Sequence, residues 1–187
     1  MKELVDFFKK LVTYDANRDF YAKFNPSVAG DRELISYRPM RASDIKAVVA
    51  IEELVYIFPW PARTFTDCLK IGYLCWVCER VDEVIGYGIL SLGAGEAHVM
   101  NICVSPEYQN RGLGRRLMNK LIEVALQNRS RTLLLEVRPS NPQAIQLYVS
   151  MGFNEIGVRK NYYPAKNGRE DALMFSLDLP LKPPNGG

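Results

Sequence analysis

The stretch from His98 to Arg138 constrains this chain more than any other. A strand-like segment, His98 to Val104, ends in a turn, a helix opens at Gly112 and Gly114, and a second strand-like segment, Thr132 to Arg138, follows. Between the strands, Arg111 to Gln127 carries Leu113, Leu117, Leu121, Ile122 and Ala125 on one helical face. A strand, a crossover helix and a second strand of this length form a right-handed unit that sets the two strands parallel in one sheet. The helix must then bury its apolar face against that sheet.

The flanking segments extend the sheet. Ile35 to Arg38 reads as a short strand. Ser43 is placed to cap a helix reaching Val55, with Ile45, Val48, Ile51 and Val55 turned inward. Phe58-Pro-Trp-Pro61 breaks that helix, and Arg63 to Leu69 fits a second. Residues 72–80 and 84–92 read as a hairpin turning at Val81 to Glu83. After Arg138, Asn141 with Pro142 at the first helical position starts a helix that Gly152 ends. Segments 153–162 and 170–178 read as closing strands, with Tyr162 and Tyr163 at the end of the first. The expected order is β-α-α-β-β-β-α-β-α-β-β, an α/β fold with a mixed sheet of about seven strands and helices on both faces.

Residues 34–179 form the expected domain of the 187-residue chain. Residues 1–33 read as an N-terminal extension in which Leu4, Phe7, Phe8, Leu11 and Val12 share a helical face, to dock on the domain or on another copy. Residues 180–187 read as a flexible Pro/Gly-rich tail. No stretch approaches the ~18 apolar residues a membrane helix needs, and the charges in the first ten residues are unlike a secretory signal. The net charge of +3 demonstrates no nucleic-acid binding. Of the four cysteines, Cys75 and Cys78 form a CxxC, but in a strand they point to opposite faces and no second pair follows. Buried packing is expected for them, with no metal and no disulfide, in a cytoplasmic setting.

The chemistry concentrates in Val104-Ser-Pro-Glu-Tyr-Gln109-Asn110-Arg111-Gly112-Leu113-Gly114-Arg115. A helix start leaves backbone N–H groups unpaired and carries partial positive charge, so it can bind phosphate. Glycine lets a ligand approach the backbone closely. The alternative is a plain strand–helix turn that uses glycine for geometry alone. The GxxxxGK[ST] phosphate loop is absent, and a dinucleotide fingerprint would need Gly or Ala where Leu117 stands. The remaining pattern, Gln-x-x-Gly-x-Gly, resembles the acetyl-CoA pyrophosphate loop of the GNAT superfamily. The preceding Asn101-Ile102-Cys103-Val104 resembles that superfamily's pantetheine-binding strand. Glu136-Val-Arg-Pro-Ser-Asn141, Leu147-Tyr148, Gly152-Phe153, Asn161-Tyr162-Tyr163 and Gly168-Arg-Glu-Asp171 extend the likeness to the RimI-type ribosomal-protein-alanine N-acetyltransferases over about residues 35–178. Pro59-Trp60 resembles their substrate-side segment.

This resemblance implies the GNAT acyl-CoA N-acyltransferase fold and acetyl-CoA as acetyl donor. It implies donor contacts at Ile102, Cys103, Val104, Gln109, Asn110, Arg111, Gly112, Leu113, Gly114, Arg115, Asn141 and Tyr148. It makes Glu136 the general base, Tyr148 the general acid toward the departing thiolate, and Trp60, Tyr162 and Tyr163 walls of a peptide groove. Read without the resemblance, Glu136 also fits a salt bridge with Arg138 or Arg159, Tyr148 a core aromatic, and Asn141 a helix cap. His98 sits early in its strand and is not expected to act. The implied substrate is the N-terminus of a protein, an Ala-starting ribosomal protein, in a monomer or weak homodimer without nucleic-acid or membrane contacts. A lysine or small-molecule amine, or a non-catalytic acyl-CoA-binding module, are the other readings. An ordinary phenol, with pKa ~10, would begin to ionise on the alkaline side of the working range.

Overall fold

The computed structural model describes residues 35–180, so the expectations for residues 1–34 and for most of the tail lie outside the described residues. Seven strands form one sheet: β1 (Ile35–Pro39), β2 (Leu74–Arg80), β3 (Glu83–Gly93), β4 (Glu96–Val104), β5 (Thr132–Val137), β6 (Asn154–Ala165) and β7 (Gly168–Asp178), in the order β1-β2-β3-β4-β5-β7-β6. Among the described residues four α-helices connect them: α1 (Ile45–Val55), α2 (Ala62–Ile71), α3 (Leu113–Gln127) and α4 (Pro142–Ser150). The element order is the expected one. β4 and β5 are parallel across the α3 crossover, and the β2–β3, β3–β4, β5–β7 and β6–β7 pairs are antiparallel.

Strand alternation divides the core into two layers. Leu133, Leu135 and Val137 of β5 pack with Met118, Leu121 and Val124 of α3 and with Tyr148 of α4. On the other face, Val48 and Ile51 of α1 and Phe65 and Cys68 of α2 pack with Cys75, Val77, Tyr87, Ile89 and Cys103. Helices therefore cover both faces. At 0% exposure, Leu117, Met118 and Leu121 anchor α3. Gly88 of β3 lets that helix approach, since a Cβ there would stand 2.9 Å from Leu121 Cδ1.

Several local expectations shift. Ser43 does not cap α1. A turn of 3-10 helix, Ala42–Asp44, precedes the helix, and the Asp44 carboxylate accepts from the Arg41 N–H at 2.7 Å and pairs with Arg38. The β2–β3 turn is tighter than expected, with Val81 and Asp82 both left-handed at φ 47° and 65°. Helix α3 starts at Leu113, because Gly112 itself is the left-handed cap at φ 77°. The last hairpin is longer than expected, so Tyr162 and Tyr163 lie within β6 and not at its end. Cys75 packs in the α1/α2 layer and Cys78 beside Tyr37, and both are buried free thiols.

Candidate active site

The site arises where two parallel strands part. β4 and β5 are in register from Glu96↔Thr132 to Val99↔Leu135 and no further, although β4 continues to Val104 and β5 to Val137. A β-bulge initiates the parting. The β3–β4 register shifts between Ile89 and Leu90, leaving Met100 as the extra residue. Bulges bend and twist the strand that carries them, and here the bend falls where β4 leaves β5. A cavity of about 410 Å³ opens in the gap.

Glu136 and Tyr148 reach this cavity from opposite faces of the sheet. Glu136 alternates with the buried Leu135 and Val137, so it points away from the α3/α4 layer, whereas Tyr148 belongs to that layer. Ile102, Asn141, Trp60 and Tyr163 also line the cavity. Cys103, Val104, Tyr162 and the turn from Gln109 to Arg115 are outside its lining.

The Glu136 carboxylate is 7% exposed and held by two cations or donors: Arg159 Nη1 lies 3.2 Å from Oε1, and His98 Nε2 hydrogen-bonds Oε2. Burial pushes its pKa up, but the His98 hydrogen bond, the His98 charge and Arg159 outweigh burial and leave it below its ordinary value. The salt-bridge reading of Glu136 is thus realised through Arg159. It coexists with a place in the cavity wall. Arg138 instead pairs with Glu170 at 3.1 Å and stacks on Tyr163 at 4.2 Å. Glu170 also accepts from the Ser140 N–H at 2.8 Å, which pins the β5–α4 loop to the last hairpin.

Tyr148 is 7% exposed, and burial, assisted by Cys103, pushes its phenol up to about 12. It therefore stays protonated throughout the pH range of ordinary assays, which corrects the expected alkaline ionisation. The Cys103 thiol is pushed up to about 12, first by burial and then by Glu52, so it is a packed thiol and not a thiolate nucleophile. Asn141 does cap α4, its side chain accepting from the Ala144 N–H at 3.1 Å.

The glycine turn is held by side-chain hydrogen bonds, two of them to α4. Gln109 Nε2 donates to the Val104 carbonyl at 2.9 Å, Gln143 donates to Asn110 Oδ1, and Arg115 Nη2 donates to Ser150 Oγ at 2.6 Å. Arg111 lies over the Tyr108 ring at 5.7 Å. No side chain caps the first turn of α3, and a Cβ on Gly112 would meet nothing within 4 Å. Uncapped N–H groups beside open space suit a phosphate.

Among the residues at the site that were not anticipated, two bear on its charge. Glu52 of α1 is 1% exposed and lines the cavity. It accepts from the Trp60 N–H at 3.0 Å, from Asn101 Nδ2 at 3.3 Å and from the Tyr87 hydroxyl. A signal existed, since Glu52 falls four residues after Val48 on the inward stripe of α1. The other is His98, whose pairing with Glu136 depends on the β4–β5 register and leaves no trace in the local sequence.

Comparison with known proteins agrees with this geometry. Residues 45–153 match the acetyltransferase (GNAT) family. The [ribosomal protein bS18]-alanine N-acetyltransferase of Escherichia coli (strain K12) is 39% identical over 142 residues, 76% of this chain and 96% of that protein. The crystal structure of the E. coli ribosomal-protein-S18-alanine N-acetyltransferase superposes with a TM-score of 0.74 at 37% identity, covering 82% of this chain and 99% of the other. Arabidopsis thaliana NAA60 in complex with acetyl-CoA shares the fold, with a TM-score of 0.70 at 19% identity over 78% and 98% of the two chains. On this sequence and this splayed sheet, the chain belongs to the GNAT family of acetyltransferases.

Proposed function

We propose that this protein transfers acetyl from acetyl-CoA to the N-terminal α-amine of a protein, an Ala-starting ribosomal protein, in the cytoplasm. The observation that carries this reading is the near full-length likeness to the bS18-alanine N-acetyltransferase together with a cavity lined by a carboxylate and a buried phenol. No helix among the described residues is long and apolar enough to cross a membrane.

The donor supplies an activated acetyl thioester. The residues fit it on two grounds: the uncapped α3 start at Gly112 with open space beside it, and the edge of Met100–Val104 that has no partner on β5. The N–H groups of Leu113, Gly114 and Arg115 would hold the phosphates, and the backbone of Ile102 to Val104 the pantetheine arm. In this reading Glu136, ionised by His98 and Arg159, takes a proton from the substrate ammonium at a carboxylate oxygen or through one water. Tyr148 holds its proton at the phenol oxygen and gives it to the leaving sulfur. Trp60 and Tyr163 line the peptide side, and Tyr162 packs its ring 4.9 Å from that of Tyr163 just outside it.

A carboxylate held below its ordinary range is a modest base, which favours an easily deprotonated amine. An α-amine titrates near ~7.7–8.0 and lysine near ~10.4, so near neutrality the α-amine is neutral a few hundred-fold more often, roughly 3 kcal/mol. The test is mass spectrometry of N-termini and lysines after incubating enzyme and acetyl-CoA with ribosomal proteins. Acetylated lysines with untouched α-amines would overturn the proposal.

A further inference from the structure

The carboxylate at the parting of the strands is gripped from both sides. His98 comes from β4 and binds Oε2, and Arg159 comes from β6 and binds Oε1. The parallel register explains how β4 contributes. His98 is opposite Leu134, and both lie on the same sheet face as Glu136, two residues further along β5. His98 is outside the cavity lining, and its side chain is 26% exposed, so it is placed behind the carboxylate and not against a substrate.

We propose that His98 is a positioning residue for Glu136, fixing the plane of its carboxylate so that its remaining lone pairs face the cavity. The inference rests on Glu136 being the group that receives the ammonium proton. A carboxylate has about four lone-pair sites on two oxygens. With one occupied on each oxygen by a donor outside the cavity, the group has a single orientation and still offers acceptors to a water or an amine. Arg159 alone would leave Oε2 free to rotate about the side-chain torsion, since its own side chain is 46% exposed and on the edge strand. The groups facing the carboxylate are then His98 from β4, Arg159 from β6 and the phenol of Tyr163, also from β6, which burial and Glu136 push upward.

The role is separable from simple packing because it depends on a donor at one atom. His98→Leu removes the donor and fills similar volume. His98→Gln restores an N–H near the position of Nε2. The measurements are kcat with a peptide substrate, KM for acetyl-CoA, melting temperature, and a carbon-13 NMR titration of the Glu136 carboxyl. His98→Leu should lower kcat about tenfold or more with acetyl-CoA KM within about twofold, and should move the carboxyl titration upward, because a charge-assisted hydrogen bond to the ionised form is lost. His98→Gln should recover most of kcat. Wild-type kcat in His98→Leu, beside an impaired Glu136→Gln control, would overturn the inference while keeping Glu136 as base. Normal turnover in Glu136→Gln itself would instead remove the reading on which the inference stands. A His98→Gln protein as slow as His98→Leu would also overturn it.

Discussion

Replacing Glu136 by Gln separates chemistry from stability at one position. The substitution keeps shape and one acceptor oxygen but removes the second acceptor and the ability to take up a proton. General-base catalysis is worth about 10²–10⁴-fold, so kcat should fall by that much while acetyl-CoA affinity holds. The ion pairs are lost as well. Arg159 is 46% exposed and His98 26%, so solvent screens both, and Gln still offers one acceptor oxygen. The stability cost is therefore about 1–2 kcal/mol, below that of breaking a fully buried pair. In a domain of this size that is a fall in melting temperature of about 2–8 °C. The folded-state pKa of Glu136 is depressed below 4.5, so its stabilising effect is present above that value and disappears as pH falls through the folded-state pKa. The melting gap between wild type and variant should thus be full at pH 7 and close at strongly acid pH. Pre-steady-state CoA release between about pH 6.5 and 9.5 reads the chemistry. Higher pH supplies neutral α-amine, with pKa ~7.7–8.0, and should partly rescue the variant. A variant that melts earlier yet turns over normally would refute the base assignment and leave Glu136 as an ion pair only.

Tyr148→Phe should lower kcat without rescue at high pH. Because the phenol is held near 12, the wild-type rate should show no fall from its ionisation below about pH 9.5, and an alkaline limb that vanishes in Tyr148→Phe would contradict this. Gly112→Val should weaken acetyl-CoA at least about tenfold by calorimetry, since a branched side chain would enter the open space before the helix start at a backbone φ of 77°. Unchanged affinity in the folded variant would place the phosphate site elsewhere. Gly86→Ala should destabilise the fold by about 1–3 kcal/mol in urea titration, because its Cβ would stand 2.9 Å from the Cys103 carbonyl, a backbone atom of β4 that cannot step aside alone. A neutral result would mean that the end of β4 is free to shift.

Element order, the crossover helix and the glycine turn were legible in the sequence because each depends on local periodicity and on residues with special backbone freedom. Leu113, Leu117 and Leu121 specify the buried face of α3 wherever the helix docks, and Gly112 marks its start as the left-handed cap at φ 77°. Glu136 and Tyr148 were singled out for a different reason, the run of residues around them that resembles a known family, and both line the cavity. The last hairpin is longer than its sequence suggests because β6 is an edge strand whose residues are mostly exposed, so it lacks the apolar alternation that marks a strand end. The tertiary structure alone decided what those residues do to one another. The bulge at Met100 and the end of pairing at Val99↔Leu135 are properties of three strands in register, and no single strand encodes them. The same holds for His98 and Glu136, which are 38 residues apart and meet only because β4 and β5 run parallel. Burial of Tyr148 in the α3/α4 layer sets its phenol near 12, since desolvation is a property of what surrounds a group and not of the group's own sequence neighbours.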